Sequence, residues 1–148
     1  MEPLTLRKRI RFSLALINGY EVIYMKHFDE FIGYCVVTRG GAGRYSFTSV
    51  NDIVIGPYFI KPSYRGQGLS TFLLNKVLND FYSNYHYAFD YIEKYNTPSI
   101  KVTERVGFEY YSKAHISRFK RKIIPNDSKQ SLFIIYRFLN KDYRIKSD

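Results

Sequence analysis

Between Ile53 and Ile60 nearly every position is apolar, which predicts a buried strand. After a short polar stretch, Leu69, Phe72, Leu73, Val77, Leu78 and Phe81 recur at three- and four-residue steps, which predicts an amphipathic helix. Upstream, Glu21–Lys26 and Phe31–Thr38 read as strands joined at His27–Glu30, and a glycine-rich turn over Arg39–Arg44 leads to Tyr45–Val50 and the central strand. Residues 4–17 carry both rhythms: Leu6, Ile10, Leu14 and Ile17 share a helical face, yet the segment also alternates like a strand. A helix ending at Asn18-Gly19 is the favoured reading. After Phe108, two further strands are expected around Glu109–Ile123 and Leu132–Leu139, separated by Pro125-Asn126-Asp127. Gly56-Pro57 interrupts the central run. Proline cannot donate to a ladder, so a bulge or a sheet edge is expected there.

The polar stretch between that strand and helix is Ile60-Lys61-Pro62-Ser63-Tyr64-Arg65-Gly66-Gln67-Gly68-Leu69-Ser70. The first N–H groups of a helix have no internal partner, and the macrodipole makes that end partly positive. Gly66 and Gly68 allow close backbone approach, and Arg65 adds a fixed charge. Such a turn suits an anion, above all a phosphate or pyrophosphate. It is not a P-loop, which needs Gly-Lys-Ser/Thr, and the dinucleotide fingerprint needs glycine where Thr71 stands. A second segment runs from Asp90 through Asn96-Thr97-Pro98-Ser99 to Gly107-Phe108. Asn96 or Thr97 can cap a helix there, Pro98 is tolerated in its first turn, and Gly107 fits the left-handed position past its end.

The run Arg65-x-x-Gly68-x-Ser70 resembles the (Gln/Arg)-x-x-Gly-x-(Gly/Ala) signature of the GNAT superfamily of acetyl-CoA-dependent acyltransferases, with Ser70 in place of the usual small residue. Asn96 to Phe108 resembles a second GNAT segment, in which a strand ends at asparagine and the following helix stops at Gly-Phe. The resemblance spans roughly residues 20 to 140. It implies an α+β fold: a twisted, mixed, mostly antiparallel sheet with a splayed central strand pair, flanked by helices. It implies acetyl-CoA or another short acyl-CoA as co-substrate, its pyrophosphate over Arg65, Gly66, Gln67, Gly68, Leu69 and Ser70. Phe59 and Ile60 would pair with pantetheine like an added strand, and Asn96 and Ser99 would line its far end. The acceptor would be a small-molecule amine attacking the thioester directly in a ternary complex.

Such a transfer needs a neutral amine, orientation, and a proton for the departing thiolate. In the family a tyrosine four residues after the position of Ser99 often gives that proton; here it is Thr103, too weak an acid, with Tyr95, Tyr110 or Tyr111 as possible substitutes. A central-strand glutamate often serves as base, where this chain has Val54 or Gly56. Asp90 is then the best carboxylate, since it interrupts the apolar run Tyr87-Ala88-Phe89…Tyr91-Ile92. A buried carboxylate must be paired, hydrogen-bonded or functional. Asp90 and Thr103 are therefore the candidate catalytic positions, with a purely structural pairing of Asp90 kept open.

A length of 148 residues suits one domain, 1–148, with a sizeable core. Aromatics are 18% of the chain, which fits a β-rich core and an aromatic-lined groove. The lone Cys35 lies in an apolar run and reads as a buried, inert thiol. No apolar stretch is long enough to span a bilayer and no signal-peptide pattern opens the chain, so a cytoplasmic location is expected. His27, His86 and His115 are too scattered for a metal site, and no Gly-x-Ser-x-Gly elbow exists. The net charge is +10, of which residues 113–148 hold +7. That field suits an anionic or nucleotide-linked acceptor, or is simply a solvated face; a nucleic-acid reader lacks any supporting motif. The basic tail and the central DIVIGPYFIKPSYRGQG also resemble small GNAT proteins of bacterial surface-polysaccharide assembly, implying a nucleotide-activated amino sugar as acceptor. A CoA-sensing module or a basic nucleic-acid-associated factor without turnover stays as the alternative, and a homodimer stays open.

Overall fold

In a computed structural model, the structure describes residues 19–41, 43–80, 85–118, 121–128 and 131–143. The helix expected over 4–17 lies outside them. The chain forms β1 (Tyr20–His27), β2 (Glu30–Arg39), β3 (Ile53–Ile60), α1 (Leu69–Asp80), β4 (Tyr87–Glu93), α2 (Thr97–Val106), β5 (Glu109–Ile116), β6 (Ile123–Pro125) and β7 (Phe133–Leu139). The strands make one sheet in the order β1-β2-β3-β4-β7-β5-β6. Among the described strands only β3 and β4 pair in parallel, as the α1 crossover between them requires. The sheet is thus the mixed, mostly antiparallel one expected.

Side chains alternate across the sheet, so each strand feeds two cores. Ile53, Ile55, Ala88 and Ile92 meet Leu73, Leu74, Val77 and Leu78 of α1 on one face. Val54, Phe89 and Ile135 meet Tyr45, Ala114 and Ile123 on the other. Leu74 is wholly buried in the first cluster, and its truncation to alanine would cost about 2–5 kcal/mol. The rhythm at Leu73, Val77 and Leu78 therefore reflects one face turned to the sheet, while Phe72 stays exposed.

α2 starts and stops as its sequence dictates. Asn96 Oδ1 accepts from Ser99 N at 3.4 Å, and Gly107 closes the helix at φ 103°. The Gly107 and Phe108 amides then satisfy the Glu104 and Thr103 carbonyls, at 3.0 and 3.2 Å.

Two expectations need correction. Tyr45–Val50 forms no strand; Tyr45 makes an isolated bridge to Ile123, and the segment packs aromatic rings on the second core. The strand expected over Glu109–Ile123 ends at Ile116, and the chain reverses so that β6 pairs antiparallel with β5. The apolar character of Ile116 and Ile123 comes from two strands facing one core, not from one long strand.

Gly56-Pro57 is a bulge. Cys35 stands opposite Tyr58 and Val37 opposite Ile55, so Gly56 and Pro57 together oppose the single residue Val36. Proline's missing N–H is thereby accommodated at an irregular point of the ladder.

Candidate active site

The turn expected to hold an anion lies between β3 and α1. Pro62–Tyr64 make one 3₁₀ turn, and Lys61 Nζ and Tyr64 Oη both donate to Glu30, at 2.6 and 2.8 Å. Those two hydrogen bonds, Lys61's first, hold the Glu30 carboxyl below its usual range. Beyond this anchor Gly66 and Gly68 take φ of 79° and 76°, and a Cβ on either would meet nothing within 4 Å. Among the described residues no acceptor takes the N–H groups of residues 66–71. Ser70 and Leu69 open α1 at this point. The Arg65 side chain folds back instead: its Nε donates to Ile60 O at 3.0 Å and its guanidinium lies 5.5 Å from the Phe59 ring centre. Its charge is thus fixed beside the turn, joined to β3.

From this turn a slot leads into the sheet. β3 and β4 pair only over Ile53–Ile55 and Ala88–Asp90; beyond that level they part. The Phe59 carbonyl is turned toward β2, where a Cβ on Gly33 would come within 2.6 Å of it. Lys61 N likewise donates to Ile32 O on β2, at 2.8 Å. Since backbone groups alternate along a strand, Tyr58 and Ile60, not Phe59, present theirs to the slot. Phe59, named from sequence beside Ile60, thus turns its carbonyl to β2.

At the end of the slot lies a buried polar cluster. Asp90 is 2% exposed, and Thr103 Oγ1, wholly buried on α2, donates to its Oδ2 at 2.8 Å. Burial pushes the Asp90 carboxyl up to about 7, with the Thr103 hydroxyl and the Tyr91 amide pulling the other way. Gly56 lies against the carboxylate, a Cβ there standing 3.4 Å from Oδ1, an ordinary contact. The position where a base was sought on the central strand is therefore vacant, and the neighbouring strand supplies the carboxylate. Tyr58 Oη reaches across to α2 and donates to Ser99 O at 3.2 Å. Burial, then the Asp90 charge, raise the Tyr58 phenol, while Ser99 and Thr103 lower it. Cys35 is pushed to about 12 by the same burial and the same carboxylate, so it stays a thiol.

The sequence-named residues divide accordingly. Asp90 and Thr103 come together, Ser99 joins them through its carbonyl, and Asn96 stands at the slot's outer end with its Oδ1 capping α2. Tyr95, Tyr110 and Tyr111 stand apart: Tyr95 is 82% exposed, Tyr110 donates to Asp127, and Tyr111 packs on Phe89 in the other face. Tyr58 was missed. Its signal was the Gly-Pro bulge directly before an aromatic residue.

A glycine turn at the start of α1, beside a mostly antiparallel sheet whose central strands part, is the arrangement the sequence resemblance implied. Residues 5–108 match the Acetyltransferase (GNAT) family, and the chain belongs to it. Among solved structures it is similar to an acetyltransferase from Thermus thermophilus, with 15% identity, 94% of this chain and 77% of that one covered, and a TM-score of 0.68. A phosphinothricin acetyltransferase from Sinorhizobium meliloti, solved with acetyl-CoA, is similar at 19% identity, covering 93% and 70%, with a TM-score of 0.64. The ribosomal-protein-S5-alanine acetyltransferase of Vibrio fischeri follows at 18% identity, covering 95% and 71%, with a TM-score of 0.62. No curated protein sequence matches.

Proposed function

We propose that this chain transfers an acetyl group from acetyl-CoA to an amine of a small, anionic molecule, by direct attack in a ternary complex. The observation that carries this is the continuity of turn and slot: amides over residues 66–71 that find no acceptor among the described residues at one end, the Asp90 carboxyl at the other. The turn fits a pyrophosphate because open space lies where Cβ atoms would stand at Gly66 and Gly68. The backbone groups of Tyr58 and Ile60 suit the amides of pantetheine, as in strand addition. The thioester supplies an activated acyl group; the chain supplies orientation and proton handling. Asp90, close to neutral in its affinity for a proton, suits removal of one from an ammonium group.

The anionic acceptor is supported by charge. Beyond the net +10, Arg137 lies 4.8 Å from the ring centre of Tyr87 and 4.9 Å from that of Tyr111 and meets no carboxylate among the described residues. It adds to the positive field from the sheet face that carries Phe89, not from the face of the Asp90 cluster.

Release of free thiol from acetyl-CoA, measured across a panel of amines with nucleotide-linked amino sugars included, tests the reading. Amine-dependent release supports it, with anionic amines best. Tight acetyl-CoA binding without release from any amine would make the chain a sensor instead. No binding at all, with salt-sensitive association to nucleic acid, would favour the basic-factor reading.

A further inference from the structure

Breaking a thioester leaves its electron pair on sulfur, and that sulfur must gain a proton or a strong hydrogen bond. Among the described residues, Cys35, Thr103 and Tyr58 each bring an exchangeable proton close to the Asp90 carboxyl. Cys35 is wholly buried in the sheet. Thr103 is turned inward, its proton committed to Asp90. Tyr58 differs from both. It is only partly buried, it follows the bulge where β3 leaves β4, and its hydroxyl spans the slot to Ser99 O at the start of α2. That carbonyl sits in the first turn of a helix, where an ordinary intrahelical amide bond can satisfy it, so the phenol can leave it without stranding an acceptor.

We propose that Tyr58 gives the leaving sulfur its proton, with Thr103 and Asp90 behind it as the supply. This rests on the acetyl-transfer reading above. The amine lone pair forms the new N–C bond, and the C–S bond breaks with its pair on sulfur. Sulfur takes the Tyr58 hydroxyl proton. The phenolate regains one from Thr103 Oγ1, and Thr103 regains one from the Asp90 carboxyl, which has taken the amine's. No proton is lost or gained overall. The parts are placed for this: the Thr103 hydroxyl bonds Asp90 at 2.8 Å on one side and acts on the Tyr58 phenol on the other.

The test uses Tyr58→Phe, which keeps the ring, with Tyr95→Phe on the exposed surface as control. Titration of the thiol of bound CoA, followed by thiolate absorbance, needs no acceptor. The bound thiol should titrate about one unit higher in Tyr58→Phe than in wild type, since a phenol that donates to sulfur stabilises the thiolate. Turnover with the best amine should fall roughly 10²-fold, with acetyl-CoA affinity kept within about twofold. Tyr95→Phe should change neither. An unchanged thiol titration and unchanged turnover in Tyr58→Phe would remove Tyr58 from the chemistry and leave the transferase reading standing. Tighter acetyl-CoA binding with full turnover would make the phenol a mere strut to Ser99. Wild-type protein that binds neither CoA nor acetyl-CoA would overturn both.

Discussion

Gly56 and Asp90 face one another where β3 and β4 part, so closely that a Cβ on the glycine would touch the carboxylate at 3.4 Å. Gly56 also holds φ 109°, a conformation side chains resist. Gly56→Ala should therefore destabilise by about 1–3 kcal/mol, read by urea unfolding. The methyl group would meet Oδ1 only at ordinary contact distance, so turnover per folded molecule should change little. Normal stability in this variant would show that the backbone at Gly56 accepts a side chain without strain.

Asp90→Asn should lower kcat by roughly 10²-fold or more while leaving acetyl-CoA affinity intact. Stability supplies an independent check. The Asp90 carboxyl titrates at about 7 when folded against 3.8 in an open chain, so between these values the folded form holds a proton the unfolded form has released. Stability should fall as pH rises through that window, and Asp90→Asn should remove this decline and be the more stable protein at pH 8. Full activity in Asp90→Asn would reduce Asp90 to a structural partner of Thr103.

Thr103 helps keep that carboxyl ionised, since its hydroxyl donates to Oδ2. Thr103→Val should thus raise the Asp90 titration further and move the acidic limb of the kcat profile to higher pH. The lost buried bond should cost about 1–3 kcal/mol. Because Thr103 also passes the proton from Asp90 to Tyr58, kcat at the pH optimum should fall as well; an unchanged kcat with the limb unmoved would remove Thr103 from both roles.

At the turn, Gly68→Val should abolish acetyl-CoA binding by calorimetry, but φ 76° means that strain contributes as well. Gly68→Asn separates the two effects, because asparagine tolerates this conformation. It should fold normally and still bind acetyl-CoA at least tenfold more weakly, since its side chain enters the same space. Wild-type affinity in a folded Gly68→Asn would place the pyrophosphate elsewhere.

Asn96→Ala removes the cap on α2 and should cost about 1 kcal/mol. Because Oδ1 takes the Ser99 amide, the side-chain NH₂ is left for the pantetheine arm, and acetyl-CoA affinity should fall as well. Lost stability with unchanged affinity would make Asn96 a helix cap alone.

Local chemistry was readable in the sequence, and what depended on parity was not. Asn96 and Gly107 announced both ends of α2 because capping is decided by neighbouring residues. Asp90 stood out as a charge inside an apolar strand, and the glycines of the turn needed no tertiary information. The break between β5 and β6 was hidden because Ile116 and Ile123 look alike whether the chain continues or doubles back. Tyr58 was hidden for a related reason. Gly-Pro signalled a bulge, but which face each later side chain takes depends on how many residues the bulge absorbs, and only the pairing with β2 shows that.

That bulge is a phase shift within a single strand. On either side of Gly56-Pro57, β3 keeps step with β2, yet its two halves are out of step with each other: Ile53 and Ile55 point to the helices before it, Tyr58 and Ile60 after it. Deleting one of the two residues would let the ladder close regularly with Tyr58 still opposite Cys35 and its ring on the same face. The extra residue therefore decides not the phenol's side but the continuity of β3 at the level where it leaves β4, and a chain shorter by one, with every functional side chain intact, would be free to run on beside β4 and narrow the slot.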